Sequence, residues 1–144
     1  MSNQPPYGNM PPPAPGGKTK VLGLEYSVAG LLCYLPICCI HVIASIIWLS
    51  TEPKENRILR FHSLQSLLLT GVTIVIWVIF MFLGVGVSFA PSSAASAGGG
   101  LLISLVFWLI LLIILILYII GMVKGYQQQI WKIPVIGDIA EKNA

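Results

Sequence analysis

The stretch LLISLVFWLILLIILILYIIGMV (residues 101–123) decides the fold of this chain. It carries no charged residue and exceeds the run of about 20 apolar residues that a helix needs to cross a bilayer core. The 144-residue chain is 56% hydrophobic and 9% charged, whereas roughly 25% of the residues of a soluble domain are charged. The sequence therefore predicts an all-α integral membrane protein of the cell membrane.

Two further apolar segments precede this stretch, at residues 28–50 and 61–87. Each is long enough to span a bilayer. The polar connector STEPKENR (residues 50–57) separates them, and its Pro53 marks a helix boundary. We therefore expect three transmembrane helices, at about 28–50, 61–87 and 101–123, within a single helical transmembrane domain over residues 21–144.

The amino-terminal segment MSNQPPYGNMPPPAPGG (residues 1–17) is rich in proline and glycine and has no apolar core. Proline has no backbone N–H to donate, and the segment offers little apolar surface to bury. It also lacks the apolar centre of a signal peptide. Residues 1–20 are therefore expected to form a disordered, proline-rich tail.

The distribution of lysine and arginine predicts an orientation in the membrane. Of eight such residues, two precede the first predicted span, three lie in the first connector, none in the second, and three follow the last span. Because cytoplasmic loops carry the excess of basic residues, three spans predict a chain with N-out and C-in. Pro36 leaves an alternative, since a re-entrant hairpin in place of the first span puts all eight basic residues on the cytoplasmic side.

The motif RFHSLQS (residues 60–66) places unusual hydrogen-bonding capacity at the start of the second span. On a helix, a polar stripe continues through it, and a stripe facing lipid is costly, so it should face another helix. One interpretation is a polar path or binding site that opens to the cytoplasm, and the other is packing between helices. The candidate residues are Arg60, His62, Gln65 and Ser66, and the stripe runs on through Thr70, Thr73 and Trp77.

A second candidate lies in the first apolar segment, where His41 follows three cysteines. An ionisable residue at membrane depth suggests function, although a neutral imidazole with one hydrogen bond also packs acceptably. Thiolates and imidazole together bind soft metals, but the spacing of Cys33, Cys38 and Cys39 around His41 matches no metal motif. We therefore expect no metal site, and keep an intramembrane metal or redox protein as an alternative.

The third span ends in Gly121 and Gly125, a glycine pair whose spacing lets helices approach closely. The partner helix is either within the chain or in a second copy. Enzyme motifs are absent, and so is a clustered basic face for nucleic acid. We expect no enzyme, no cofactor and no nucleic-acid partner. The expected partners are the lipid bilayer and either a second copy or another membrane protein.

Three stretches carry a resemblance to a known family: LGLEYSVAGLLCYLP (residues 22–36), TEPKENRILRFHSLQS (51–66) and GYQQQIWKIPVIGDIAEK (125–142). Together they resemble the Tic-twenty-like membrane proteins, prokaryotic relatives of a chloroplast inner-envelope import translocon subunit. The resemblance implies a helical membrane protein without catalysis, with relatives linked to preprotein transport and channel formation. It maps motif positions onto Glu25, Arg60, Phe61, His62, Gln65, Ser66, Gly137, Asp138 and Glu141.

These observations predict a non-catalytic small multi-pass membrane protein that is a structural or assembly component of a membrane complex. The first alternative is a component or pore of a protein or solute translocation system. The second is the metal or redox protein built on Cys33, Cys38, Cys39 and His41.

Overall fold

The computed structural model of the protein describes residues 17–37, 39–89 and 93–144. Within these ranges the chain is all-α, as predicted, with five helices and a single isolated β-bridge. The helices are α1 (Tyr26–Leu32), α2 (Ile40–Thr51), α3 (Arg57–Ser88), α4 (Ser93–Tyr126) and α5 (Ile136–Asn143).

Helices α3 and α4 are long and apolar enough to cross a membrane. At about 1.5 Å per residue, a helix of 32 residues such as α3 is about 48 Å long, which exceeds a bilayer core of about 30 Å. Only 6% of the most apolar part of α3 and 11% of the most apolar part of α4 are buried inside the protein. A core helix of a soluble protein would bury this surface, so the exposed apolar residues suit a lipid environment. The predicted second and third spans lie within these two helices.

The first predicted span, residues 28–50, does not form one helix, and the three-span prediction is not confirmed. Its residues are divided between α1, with seven residues, and α2, with 12. The break surrounds Pro36, which has no backbone N–H for a helical bond. At about 1.5 Å per residue, neither helix reaches even about 20 Å, so neither can cross a bilayer alone.

Helices α1 and α2, with the described residues 33–37 and 39 between them, form a helical hairpin, hereafter the hairpin. Its two ends meet where the backbone N–H of Lys20, before α1, donates to Oε1 of Glu52, after α2, at 2.8 Å. The other oxygen of this carboxylate accepts from Asn56 at 3.0 Å. Glu52 is almost completely buried, and these bonds hold the entry and the exit of the hairpin together.

The chain divides into two compact units. The first contains the described residues up to Leu69 together with Tyr118–Ala144, and the second is Thr70–Leu117. In the second unit, Trp77 and Phe80 of α3 contact Phe107 of α4, with ring centroids 5.6 and 5.1 Å apart. Every charged residue of the chain belongs to the first unit, because no Asp, Glu, Lys or Arg occurs between residues 61 and 123.

Residues 1–16 of the predicted tail lie outside the described residues, and residues 17–20 belong to a tight turn that leads into α1. Lys18 pairs with Glu25 in the isolated bridge, and the N–H of Thr19 donates to Leu24 O at 2.7 Å. Thr19 is buried and its Oγ1 accepts from the N–H of Leu24. The tip of the turn is formed by Leu22 and Gly23, both with a left-handed backbone.

The carboxy-terminal segment folds back after α4 and ends in α5. Gly137 lies directly against the backbone of Lys132, where a Cβ atom would approach to 2.7 Å. Ala140, one turn further along α5, is completely buried. These two small residues form the inner face of α5, because residues three apart on a helix share a face.

Candidate functional site

The RFHSLQS motif forms the first turns of α3, and its polar side chains are buried rather than exposed. His62, Ser63, Gln65 and Ser66 all have no solvent-accessible surface. Buried polar groups are hydrogen-bonded as a rule, because an unpaired one costs free energy. Their partners therefore decide what the motif does. Together with Cys33, Tyr34 and Ser45 of the hairpin region they form what we call the polar cluster.

His62 lies at the centre of the polar cluster. Its Nδ1 is 3.3 Å from the hydroxyl oxygen of Tyr34, and the two rings meet edge to face with centroids 5.7 Å apart. Phe61 covers the imidazole from its own helix at 5.4 Å, and the backbone of Gln129 lies near the ring. The ring is thus enclosed by the hairpin, α3 and the segment that follows α4.

Two serines of α3 bond to side chains of the hairpin. Ser66 Oγ lies 2.8 Å from Ser45 Oγ of α2, and Ser63 Oγ lies 3.5 Å from the Cys33 sulfur. Each serine also donates to a backbone carbonyl of α3 itself, Ser63 to Leu59 at 2.9 Å and Ser66 to Ser63 at 3.0 Å. The hydroxyls therefore connect both arms of the hairpin to α3.

Gln65 and Arg60 bond to backbone carbonyls from three different parts of the chain. Gln65 Nε2 donates to the carbonyl of Trp131 at 3.1 Å. The Arg60 guanidinium donates to Leu49 at 2.7 Å, to Glu52 at 3.2 Å and to Ala144 at 3.1 Å. The first two of these carbonyls belong to the end of α2, which has no helical donors for them. Arg60 thus caps α2 and also contacts the carboxy-terminal segment.

His41, Cys33 and Cys39 lie in different surroundings. His41 packs edge to face on Tyr118 with ring centroids 5.7 Å apart. Cys33 is buried beside Ser63, whereas Cys39 is exposed; Cys38 lies outside the described residues. Among the described residues, no group of three or more His, Cys, Asp or Glu side chains is placed to hold a metal ion.

The glycine pair of α4 packs against the hairpin. The Tyr34 ring lies on Gly121, where a Cβ atom would approach it to 2.6 Å, and Gly125 meets Gly30 of α1 backbone to backbone. Further along, Gln128 Nε2 donates to the carbonyl of Tyr26 at 2.6 Å. These contacts make α1 run antiparallel to the last turns of α4.

The motif positions of the carboxy-terminal segment lie around Lys132. Its ammonium group is 2.5 Å from Glu141 and 3.9 Å from Asp138. Since Lys132 and Asp138 are both well exposed, these ion pairs contribute little, and exposed pairs are typically worth below about 1 kcal/mol. Gly137 has the clearer role, because its missing side chain lets α5 lie on the Lys132 backbone.

Sequence reasoning identified the α3 side of the polar cluster and missed its partners on the hairpin. Ser66 and His62 of the predicted stripe are buried, whereas Trp77 at its far end is 56% exposed. Tyr34, Ser45 and Gly30 were not singled out. Gly30 is the one with a local signal, because a glycine inside an apolar helix often marks a close helix contact.

Comparisons with known proteins identify relatives of this chain. A family model described as the magnetosome magnetite crystal formation protein family (MamF/MmsF) matches residues 24–140. A UPF0132 membrane protein of Methanocaldococcus jannaschii is 36% identical over 128 residues, covering 88% of this chain and 94% of the relative. A second UPF0132 membrane protein of that organism is 34% identical over 132 residues, covering 84% and 71%. No solved structure matches the chain.

The predicted resemblance to the Tic-twenty-like family is wrong. The stretches that carry it lie almost entirely within residues 24–140, which a different family model matches. The expected link to preprotein transport and channel formation falls with it, since the relatives found here are described as membrane proteins and not as transport components. Their descriptions and the two long apolar helices identify the chain as a membrane protein.

Proposed function

Because the chain belongs to the MamF/MmsF family, with relatives that are membrane proteins, we propose that it is a non-catalytic structural component of a membrane complex. The first unit serves as the assembly surface, and the RFHSLQS motif holds that unit together. The proposal rests on the hydrogen-bond partners of the motif's side chains, which all lie within the first unit.

Each polar side chain of the motif has a partner inside the chain. Gln65 and Arg60 donate to backbone carbonyls, Ser66 bonds to Ser45, and His62 bonds to Tyr34. A catalytic acid or base needs to lie within reach of a substrate atom, whereas these groups are enclosed by three parts of the chain. The bonds that these side chains make connect α3 to the hairpin and to the segment that follows α4.

The contacts of the hairpin support a re-entrant topology for it. Gln128 contacts Tyr26, Gly121 contacts Tyr34, and Tyr118 contacts His41. The hairpin therefore follows the last turns of α4 and the start of the next segment, from Gln128 back to Tyr118, about 15 Å at the helical rise, and then returns. That distance is about half of a bilayer core.

This topology revises the orientation predicted from three spans. With two spanning helices and a re-entrant hairpin, both ends of the described chain lie on one side of the membrane. All eight Lys and Arg residues then lie on that side. The excess of basic residues marks the cytoplasmic side, so we propose that both ends face the cytoplasm.

The family description concerns magnetite crystals, whereas the two archaeal relatives are described only as membrane proteins. The contacts of the polar cluster hold the hairpin, α3 and the segment after α4 together. We therefore propose assembly within a membrane complex as its role.

Purification in mild detergent tests this role. We expect the tagged wild-type chain to elute with a partner, either a second copy or another membrane protein. The variant His62→Leu should lose that partner while still resisting carbonate extraction, because α3 and α4 remain inserted. The matched control Ser88→Ala alters an exposed hydroxyl of the same helix, bonded only to Gly84 within its own helix, and should keep the partner. A wild-type chain that elutes alone, or an unaltered complex in His62→Leu, would contradict the proposal.

A further inference from the structure

Two turns of the first unit hold an aliphatic residue in a left-handed backbone conformation and expose its side chain. Leu22 has φ 72° and is 73% exposed, and Val135 has φ 69° and is 71% exposed. Non-glycine residues rarely adopt this conformation, and a β-branched residue such as valine is a clear outlier there. At these exposures, the described residues cover little of either side chain.

Both positions normally favour polar residues. Leu22 and Gly23 are consecutive left-handed residues at the tip of a turn, where Asn-Gly is the usual pair. Val135 is the N-cap of α5 and makes no side-chain cap bond, at a position where Ser, Thr, Asp and Asn are preferred. The sequence thus displays an aliphatic side chain where local structure favours a polar one. The described residues supply little contact that would compensate for this choice.

The charges nearby indicate what that contact is. Lys18 and Lys20 closely precede Leu22 and are exposed. Near Val135, Lys142 is exposed on α5, whereas Lys132 pairs with Asp138 and Glu141. The first unit holds all the charged residues of a chain with net charge +3. Exposed aliphatic side chains next to basic residues are the pattern of segments that enter the boundary between headgroups and acyl chains of anionic bilayers.

We propose that Leu22 and Val135 are interfacial anchors, which insert into the headgroup–acyl boundary of a bilayer that contains anionic phospholipid. A protein surface would have to bury the neighbouring lysine ammonium groups or pair them with acids. A lipid surface accommodates both kinds of group, since the aliphatic side chains contact acyl chains and the ammonium groups contact phosphates. This inference does not depend on a partner protein.

Site-directed spin labelling in proteoliposomes tests the proposal. Single cysteines replace Leu22 or Val135 in a full-length chain whose Cys33, Cys38 and Cys39 are changed to Ala. Because both side chains are exposed, a label there does not disturb packing. Glu55→Cys, an exposed position between α2 and α3, is the matched control. Vesicles contain phosphatidylcholine alone or a mixture of phosphatidylcholine with anionic phosphatidylglycerol, whose negative surface attracts basic segments.

At positions 22 and 135, we expect labels more accessible to oxygen than to a nickel chelate, and the reverse at position 55. The pair Lys18→Gln with Lys20→Gln should make the label at position 22 shallower in vesicles with phosphatidylglycerol only. Nickel accessibility at positions 22 and 135 equal to that at position 55 would overturn the proposal. So would immobile labels shielded from both reagents, which indicate a protein partner. If the cysteine-free chain does not fold, tryptophan is placed at the same positions instead. Quenching of its fluorescence by dibrominated lipid then shows whether positions 22 and 135 are inserted.

Discussion

Gly30 and Gly125 meet so closely that a Cβ atom at either position would overlap the backbone carbonyl group of the other. The contact fixes α1 against the end of α4, and Gly121 next to it receives the ring of Tyr34. The glycine pair of α4 is therefore used inside the chain. The sequence left two possible partners for this pair, a helix of the same chain or a second copy. In the structure the pair packs against the hairpin.

Gly125→Ala should lower the stability of the protein by about 1–3 kcal/mol, because an added methyl group meets backbone rather than a flexible side chain. Thermal unfolding in detergent, followed by circular dichroism, measures the change. The control is Gly84→Ala in α3, where an added Cβ has no neighbour within 4 Å. Alanine gains up to about 1 kcal/mol in a helix, so that control should unfold at the wild-type temperature or above. Equal behaviour of the two variants would show that the contact is not tight.

Gln65→Leu should release the segment that follows α4. The variant keeps much of the side-chain volume but removes the donor to the Trp131 carbonyl, at a cost of about 1–2 kcal/mol. Limited proteolysis is expected to cut within residues 127–135 at least several-fold faster than in the wild type. The control Gln129→Leu removes an exposed amide that accepts from Lys124 and should leave the rate unchanged. Identical cleavage of both variants would argue against a holding role for Gln65.

The membrane spans were predictable because their signal is local. An uncharged run such as residues 101–123 has few alternatives to a spanning helix, and the structure contains it within α4. The break at Pro36 was also visible, but the length of the apolar run favoured one span. The sequence alone does not specify which helices pack against each other. That packing determines whether the first apolar segment spans the membrane or forms the hairpin.

The polar cluster was predictable from one side only. His62, Gln65 and Ser66 stand out because polar groups are costly in an apolar run. Their partners, such as Tyr34 and the Trp131 carbonyl, lie 28 and 66 positions away. Nothing in local periodicity specifies such pairs, since they follow from how the hairpin and the carboxy-terminal segment fold back.

Cys33 and Cys39 should differ in thiol reactivity. In a Cys38→Ser background at neutral pH, N-ethylmaleimide is expected to modify Cys39 in the folded protein and Cys33 only after unfolding in SDS. The reason is that Cys33 is buried whereas Cys39 is exposed, and a thiol reacts only where the reagent can reach it. Mass spectrometry of peptides gives both rates. Equal rates in the folded protein would contradict the buried position of Cys33.

Both ends of the described chain should be protected from the outside of intact cells. In a background free of native cysteines, Lys20→Cys should react with an impermeant maleimide only after permeabilisation. Phe89→Cys, exposed just after the end of α3, should react in intact cells. The reason is that the hairpin returns to its own side, with Lys20 bonded to Glu52. Labelling of Lys20→Cys in intact cells would contradict the re-entrant hairpin and the cytoplasmic location of this end.

Val135→Gly should raise the stability of the detergent-solubilised protein by about 1 kcal/mol while weakening its anchoring to lipid. Glycine adopts a left-handed backbone freely, whereas a strained residue there costs about 1–3 kcal/mol, part of which is returned as unfolded-state entropy. The control Val135→Ile keeps both the strain and the aliphatic side chain, so its unfolding temperature should match the wild type. Thermal unfolding is measured in detergent and again in phosphatidylglycerol vesicles. In detergent, we expect Val135→Gly to have a higher unfolding temperature than the wild type and Val135→Ile. In vesicles, we expect this difference to disappear, because only the aliphatic side chains are stabilised by the bilayer. A lower unfolding temperature for Val135→Gly in detergent would show that the valine side chain stabilises the chain by itself, and the case for an anchor would fail.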